Sequence, residues 1–202
     1  MARAVGAALG FPLTGPGLAS HAPEAAQAME KASGNDTERA STYLEALFRF
    51  SGVPAERMRE VRDCLVELHR ERHLWCSIRD RTHEALARLR GAGIRLGIVS
   101  NSDGRVEQAL TLAGLRDYFD VVVDSGLVGV EKPDPAIFQT ALDALGVAPE
   151  EALFVGDLYE VDVVGARAAG MEAVLLTSER TPPDQRCRTA VSIDELVDAL
   201  LP

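Results

Sequence analysis

In the stretch GDLYEVDVVGA, residues 156–166, Asp157 and Asp162 stand five residues apart where the apolar run EALFVGD ends. Asp157 falls at the end of an expected strand and Asp162 about one helical turn further on, so both carboxylates can face one cavity. Like charges that close are costly unless a cation neutralises them. Mg²⁺ is the natural cation, since it binds one or two carboxylates together with substrate phosphate and water. The plainer alternative is a helix N-terminus enriched in acids for its dipole.

Two other stretches carry groups of related chemistry. In GIVSNSDG, Ser100 and Asn101 follow a strand and precede a helix. A hydroxyl beside the free N–H groups of a helix start forms an anion cradle. Alternatively, Ser100 to Asp103 only turn the chain and cap the helix. In GVEKPDPAIF, Lys132 lies just before an Asp134-Pro135 helix start, an N-cap followed by a favoured first helical residue. A lysine anchored there can clamp a phosphoryl oxygen as a point charge, against the ordinary reading of a solvated surface lysine. Asp124 and Ser125 end another strand nearby, where they can simply terminate it.

The elements that would position these groups follow from the change in hydrophobic period. To about residue 80 the chain reads as helical. A short Ala-rich helix ends near Gly10; Tyr43, Leu44, Leu47 and Phe48 share one helical face; a helix starting on Pro54 sets Met58, Val61, Leu65 and Leu68 on one side. From THEALARLRGAG onward, helices alternate with the short apolar runs IRLGIVS, FDVVVDS, ALFVGD and EAVLLT. That alternation is the signature of βαβ units and a parallel sheet covered on both faces, hence an α/β fold. TSERTPPDQRCRTAVS reads as a polar surface loop, and SIDELVDALL as a final helix with a Ser192–Glu195 capping box. Ligands in such sheets bind outside the carboxyl ends of the strands, which gathers Ser100, Asn101, Asp124, Ser125 and Asp157 on one rim.

Taken in order, SNS, EKPDP and GDLYEVDVVGARAAG resemble the haloacid dehalogenase (HAD) superfamily of hydrolases, with close similarity over roughly residues 80 to 202. The resemblance implies a Rossmann-like, three-layer core with a parallel sheet (81–202) and a helical cap of the C1 type (1–80). It also implies Mg²⁺-dependent hydrolysis of a small phosphorylated substrate through an aspartyl-phosphate. On this basis Ser100 holds the phosphoryl group, Lys132 stabilises the charge of nucleophile and phosphate, and Asp157 ligates Mg²⁺ with Asp162 in support. Asn101 becomes a substrate-binding candidate. His73 and Trp75 join it, because this part of a cap often touches substrate. The GDxxxxD form resembles the phosphatase branch, favouring a phosphomonoester over a haloacid.

One expected part has no match. The family's nucleophile is the first aspartate of a DxD motif at the end of an apolar strand, whereas the first aspartate here is Asp36, in ASGNDTERAS, with no strand before it. Asp157 and Asp162 cannot both hold a metal and attack in line. The expectation is therefore a chain inactive as a phosphatase. A start placed too far downstream, a non-catalytic binding or interaction module, and an enzyme recruiting another acid are the three accounts of it. In the family the unmatched strand lies between RLGIV and ALFVG, so two inner strand edges are left to pair with another chain, and self-association is expected.

Composition excludes other classes. A formal charge of −10, with no cluster of Lys and Arg among aromatics, disfavours nucleic acid. No window approaches the roughly 20 apolar residues of a membrane span. The N-terminal stretch has one Arg and an apolar run broken by glycines and a proline, unlike a signal peptide. Three cysteines without CxxC spacing suit a reducing compartment, and the expected location is cytoplasmic. His69 and His73, four apart on a helix, form a metal pair only if a third ligand joins them.

Overall fold

The structure is a computed structural model that describes residues 1–31, 36–71, 78–177 and 187–201. The chain divides into two compact units, Met1–Trp75 and Cys76–Pro202, a division five residues before the one expected from the change of period.

The first unit is helical: α1 (Ala2–Leu9), α2 (Gly15–Ser20), α3 (Ala22–Glu30), α4 (Asp36–Phe50) and α5 (Met58–Glu71). Helix α1 ends on Gly10 in the left-handed conformation, as the Ala-rich run suggests. Val5, Leu18, Leu47, Phe48, Val61 and Leu65 form its core, with Tyr43, Leu44 and Leu68 packed against them. Pro54 does not open α5 directly; it caps a single 3₁₀ turn, Ala55–Arg57, and the α-helix begins at Met58. Arg57 from that turn donates to the Leu9 carbonyl at 2.8 Å, satisfying a free acceptor at the end of α1. Helices α2 and α3 fall inside the stretch expected to be helical; they are short and lack the long apolar stripe that delimits α4 and α5.

The second unit runs α6 (Thr82–Gly91), β1 (Gly97–Ser100), α7 (Val106–Leu112), β2 (Val121–Asp124), α8 (Ser125–Val128) and α9 (Pro135–Leu145). It continues with β3 (Leu153–Gly156), a π-helical turn (Tyr159–Val163), α10 (Val164–Ala168), β4 (Glu172–Leu176), β5 (Arg188–Ala190) and α11 (Ile193–Leu200). All strand pairs are parallel, so this unit is α/β as expected. Strand β5 lies inside the segment read as a polar loop; three residues beside β4 are too few to show a period in the sequence.

Strand alternation divides the side chains between two faces. On one face Val99, Val123, Phe154, Ala173 and Leu175 pack with Ile137, Phe138, Val163 and Ala166 of α9 and the following helical segment. On the other, Leu153, Val155, Val174 and Leu176 meet Ala190 and Leu196. Helix α6 is tied to α11 by Arg81–Asp194 and Arg88–Asp198.

The strands form two separate sheets, β1-β2 and β3-β4-β5. One apolar layer nevertheless runs beneath both, because Val99 and Phe154 belong to the same cluster. Val99, Phe154 and Val155 are only partly buried, unlike Val174 of β4. β1 and β3 thus each keep one edge without a hydrogen-bonded neighbour among the described residues.

Candidate functional site

Strand register and side-chain hydrogen bonds bring the chemistry together. Ser100, the last residue of β1, pairs with Asp124, the last of β2, and Gly156 ends β3 in the second sheet. Asp134 accepts from the Ala136 N–H at 2.9 Å and Pro135 opens α9, so the loop before it is anchored as its sequence suggests.

Asn101 and Lys132 are joined by two reciprocal hydrogen bonds. The Asn101 side-chain amide donates to the Lys132 carbonyl at 2.9 Å, and the Lys132 N–H donates to Asn101 Oδ1 at 2.7 Å. Asn101, expected to touch substrate, therefore splints the lysine loop to the end of β1. Lys132 Nζ then donates to Asp162 Oδ1 at 2.7 Å and sits 5.5 Å from the centre of the Phe154 ring. That ring is itself braced edge-on by Phe138. The ammonium thus has an anionic partner and a π-face beneath it.

The second oxygen of Asp162 is also engaged: Oδ2 accepts from the N–H groups of Asp157 and Leu158, each at 2.9 Å. The π-helical turn, one residue wider than an α-turn, lets Asp162 fold back over the end of β3. Gly156 permits this approach, because a methyl group there would overlap the Asp162 carboxyl. Asp162 is 2% exposed, whereas Asp157 is exposed. The two acids expected to share a cation are placed differently. Asp162 is neutralised by Lys132 and shapes the turn; Asp157 is an exposed residue.

The helix start after β1 also differs from the anion-cradle expectation. The N–H groups of Gly104 and Val106 donate to the two oxygens of Asp124, each at 3.0 Å, and that of Ser102 donates to Ser125 Oγ at 3.0 Å. The cap comes from the neighbouring strand, not from Ser100 to Asp103. Asp124 is 2% exposed and Ser125 4%. Sequence reading noted both as strand-end polar residues, but the donors they satisfy lie some twenty residues away. His73 and Trp75, together with the second member of the His69–His73 pair, lie outside the described residues.

Comparison with known proteins agrees with this geometry. The haloacid dehalogenase-like hydrolase family model matches residues 16–170. The chain is 38% identical over 154 residues to the mouse haloacid dehalogenase-like hydrolase domain-containing protein 3, covering 76% of this chain and 61% of that protein. It is 36% identical over 164 residues to a phosphoserine phosphatase of Thermus thermophilus, covering 81% and 64%. The chain thus spans less than two thirds of the length of these two relatives. Among solved structures, the HAD-hydrolase YfnB of Bacillus subtilis, bound to magnesium, superposes with a TM-score of 0.71 at 20% identity, over 99% of this chain and 89% of that one. A HAD phosphatase from Thermococcus onnurineus gives 0.59 at 25% identity, over 92% and 90%. With SNS and GDLYEVD following the ends of β1 and β3, EKPDP leading into α9, and the family model matched over most of the chain, the chain belongs to the haloacid dehalogenase-like hydrolases.

Proposed function

We propose that the chain carries the phosphoryl- and metal-binding half of a Mg²⁺-dependent phosphomonoester hydrolase. The observation that supports this most directly is the Asn101–Lys132–Asp162 array, which holds a cation and a turn bearing an exposed carboxylate at one sheet rim. Ser100 would donate its hydroxyl to a phosphoryl oxygen, and the Lys132 ammonium would offset the charge of the group. The carboxylate of Asp157, an exposed residue, is a hard oxygen donor and would hold Mg²⁺, while Asp162, committed to Lys132 and two N–H groups, orients the turn. When bound, the metal would supply positive charge to the phosphoryl oxygens. The similarity to a phosphoserine phosphatase and to a glyceraldehyde 3-phosphate phosphatase of Methanothermobacter thermautotrophicus supports a small phosphomonoester as the substrate class.

The reading includes silence of this polypeptide on its own. Of the carboxylates at the described strand ends, Asp124 is bound to three N–H groups and Asp157 is assigned to the metal, which leaves none to attack phosphorus. The test is the chain incubated with Mg²⁺ and p-nitrophenyl phosphate, alongside calorimetric titration with Mg²⁺ and inorganic phosphate. Binding that disappears in Asp157→Asn, with no release of nitrophenol, is the expected result. Turnover dependent on Mg²⁺ would overturn the assignment of silence, and failure to bind either ligand would overturn the site.

A second reading, that the chain acts through association, is favoured by the unpaired edges of β1 and β3. The occupant we propose is a second copy of the chain. The cytoplasm is the compartment we propose, in keeping with the free thiols of Cys64 and Cys187.

A further inference from the structure

We propose that Asp124, Ser125 and Gly126 form a seat that positions the catalytic rim, a role beyond ending a strand; the inference rests on the phosphoryl-site reading above. The three residues clamp the whole loop from Ser102 to Val106. Asp124 takes the N–H groups of Gly104 and Val106 and, through the same oxygen as Gly104, that of Gly126. The Ser125 hydroxyl accepts from the Ser102 N–H at 3.0 Å and donates to the Ser102 carbonyl at 3.2 Å. Gly126 lets the two backbones touch: a methyl group there would lie 2.7 Å from Gly104 N, 2.8 Å from the Asp103 carbonyl carbon and 2.8 Å from Ser102 O. All three are backbone atoms, so the loop itself would have to move.

The loop so held begins one residue after Asn101, whose side chain fixes the Lys132 backbone. Lys132 in turn meets Asp162, which holds the turn of Asp157. Hydrogen bonds, joined by the peptide link between Asn101 and Ser102, therefore run from the end of β2, through the end of β1 and the lysine loop, to the end of β3. They connect two sheets that share no strand hydrogen bond among the described residues. Asp124, Ser125 and Gly126 are accordingly positioning residues for Ser100 and Lys132, and none of them touches substrate.

The experiment uses the full chain, labelled with ¹⁵N, as wild type, Asp124→Asn, Gly126→Ala, and Leu196→Ala as a destabilised control on the other face of the sheet. Residue-resolved amide exchange, the Lys132 ammonium resonance and the affinity for inorganic phosphate with Mg²⁺ are measured for each. Asp124→Asn and Gly126→Ala should each speed exchange at Gly104, Val106 and Lys132 by about tenfold, the effect of losing one hydrogen bond to a charged acceptor. They should also shift the ammonium signal and weaken phosphate binding, while Val174 keeps its protection. Leu196→Ala should leave the Lys132 signals in place. Faster exchange at Gly104 and Val106 with Lys132 and phosphate affinity unchanged would overturn the inference, reducing the seat to a local cap. Should Asp124→Asn fail to fold, Gly126→Ala decides by the same criteria. If wild type shows no phosphate binding, the phosphoryl reading fails, and the exchange data still decide whether the seat controls Lys132.

Discussion

Asp162→Asn isolates the contact on which the rim depends. The asparagine keeps the shape of the side chain, and its Oδ1 can still accept from the Asp157 and Leu158 N–H groups. Its amide nitrogen then faces the Lys132 ammonium, donor against donor, where the carboxylate oxygen stood at 2.7 Å. Removing one partner of a buried ion pair costs about 3–5 kcal/mol, chiefly because the other charge stays buried without compensation. The side chains of Lys132 and Asp162 are 12% and 2% exposed, so some water still reaches the lysine and the lower end, about 3 kcal/mol, applies. With a urea dependence of about 2 kcal/mol per molar, the unfolding midpoint should fall by roughly 1.5 M. Because the two units need not unfold together, the transition should be followed by hydrogen exchange on peptides from β3 and β4. Lys132→Met removes the charge while keeping an apolar stem over Phe154, so Asp162→Asn and Lys132→Met together should cost about 2 kcal/mol less than the sum of the single changes. A loss below about 1 kcal/mol for Asp162→Asn, the range of exposed pairs, or strict additivity in the cycle, would refute the reasoning.

Gly156→Ala should cost about 1–3 kcal/mol and release the Asp157 and Leu158 amides to exchange, since the added methyl displaces the Asp162 carboxyl; an unchanged exchange pattern would contradict the close approach. Asp120 is held below the usual carboxylate range by the Leu96 N–H and then by Arg90, so its contribution to stability is complete above the unfolded value of about 3.9 and is lost as pH falls through the lower folded value. Urea midpoints measured from pH 7 down to pH 2.5 should fall less steeply in Asp120→Asn than in wild type over that acid window. Sedimentation over a range of concentrations should show reversible self-association, reduced by Ile98→Lys on β1; a monomer at all concentrations would remove the association reading.

The sequence by itself determined the kinds of element and the inventory of the rim. Period change near residue 80 separated helical from α/β chain, and Asp134-Pro135, Ser192 and the Gly10 stop marked their helix ends, because caps and turns are decided within a few residues. Ser100, Lys132, Asp157 and Asp162 stood out because chemistry-bearing side chains at strand ends leave a local signature. Which group meets which did not. Asp162 and Lys132 are thirty residues apart, Asn101 and Lys132 thirty-one, and Asp124 and Val106 eighteen. Only the tertiary fold set them side by side. It joined Asn101 to the backbone of the Lys132 loop and Asp162 to the Lys132 ammonium. It also gave the donors at the start of α7 to Asp124. Tertiary structure decided these pairings because a buried charge or N–H takes the nearest complementary group in space, and here that neighbour comes from a distant part of the chain.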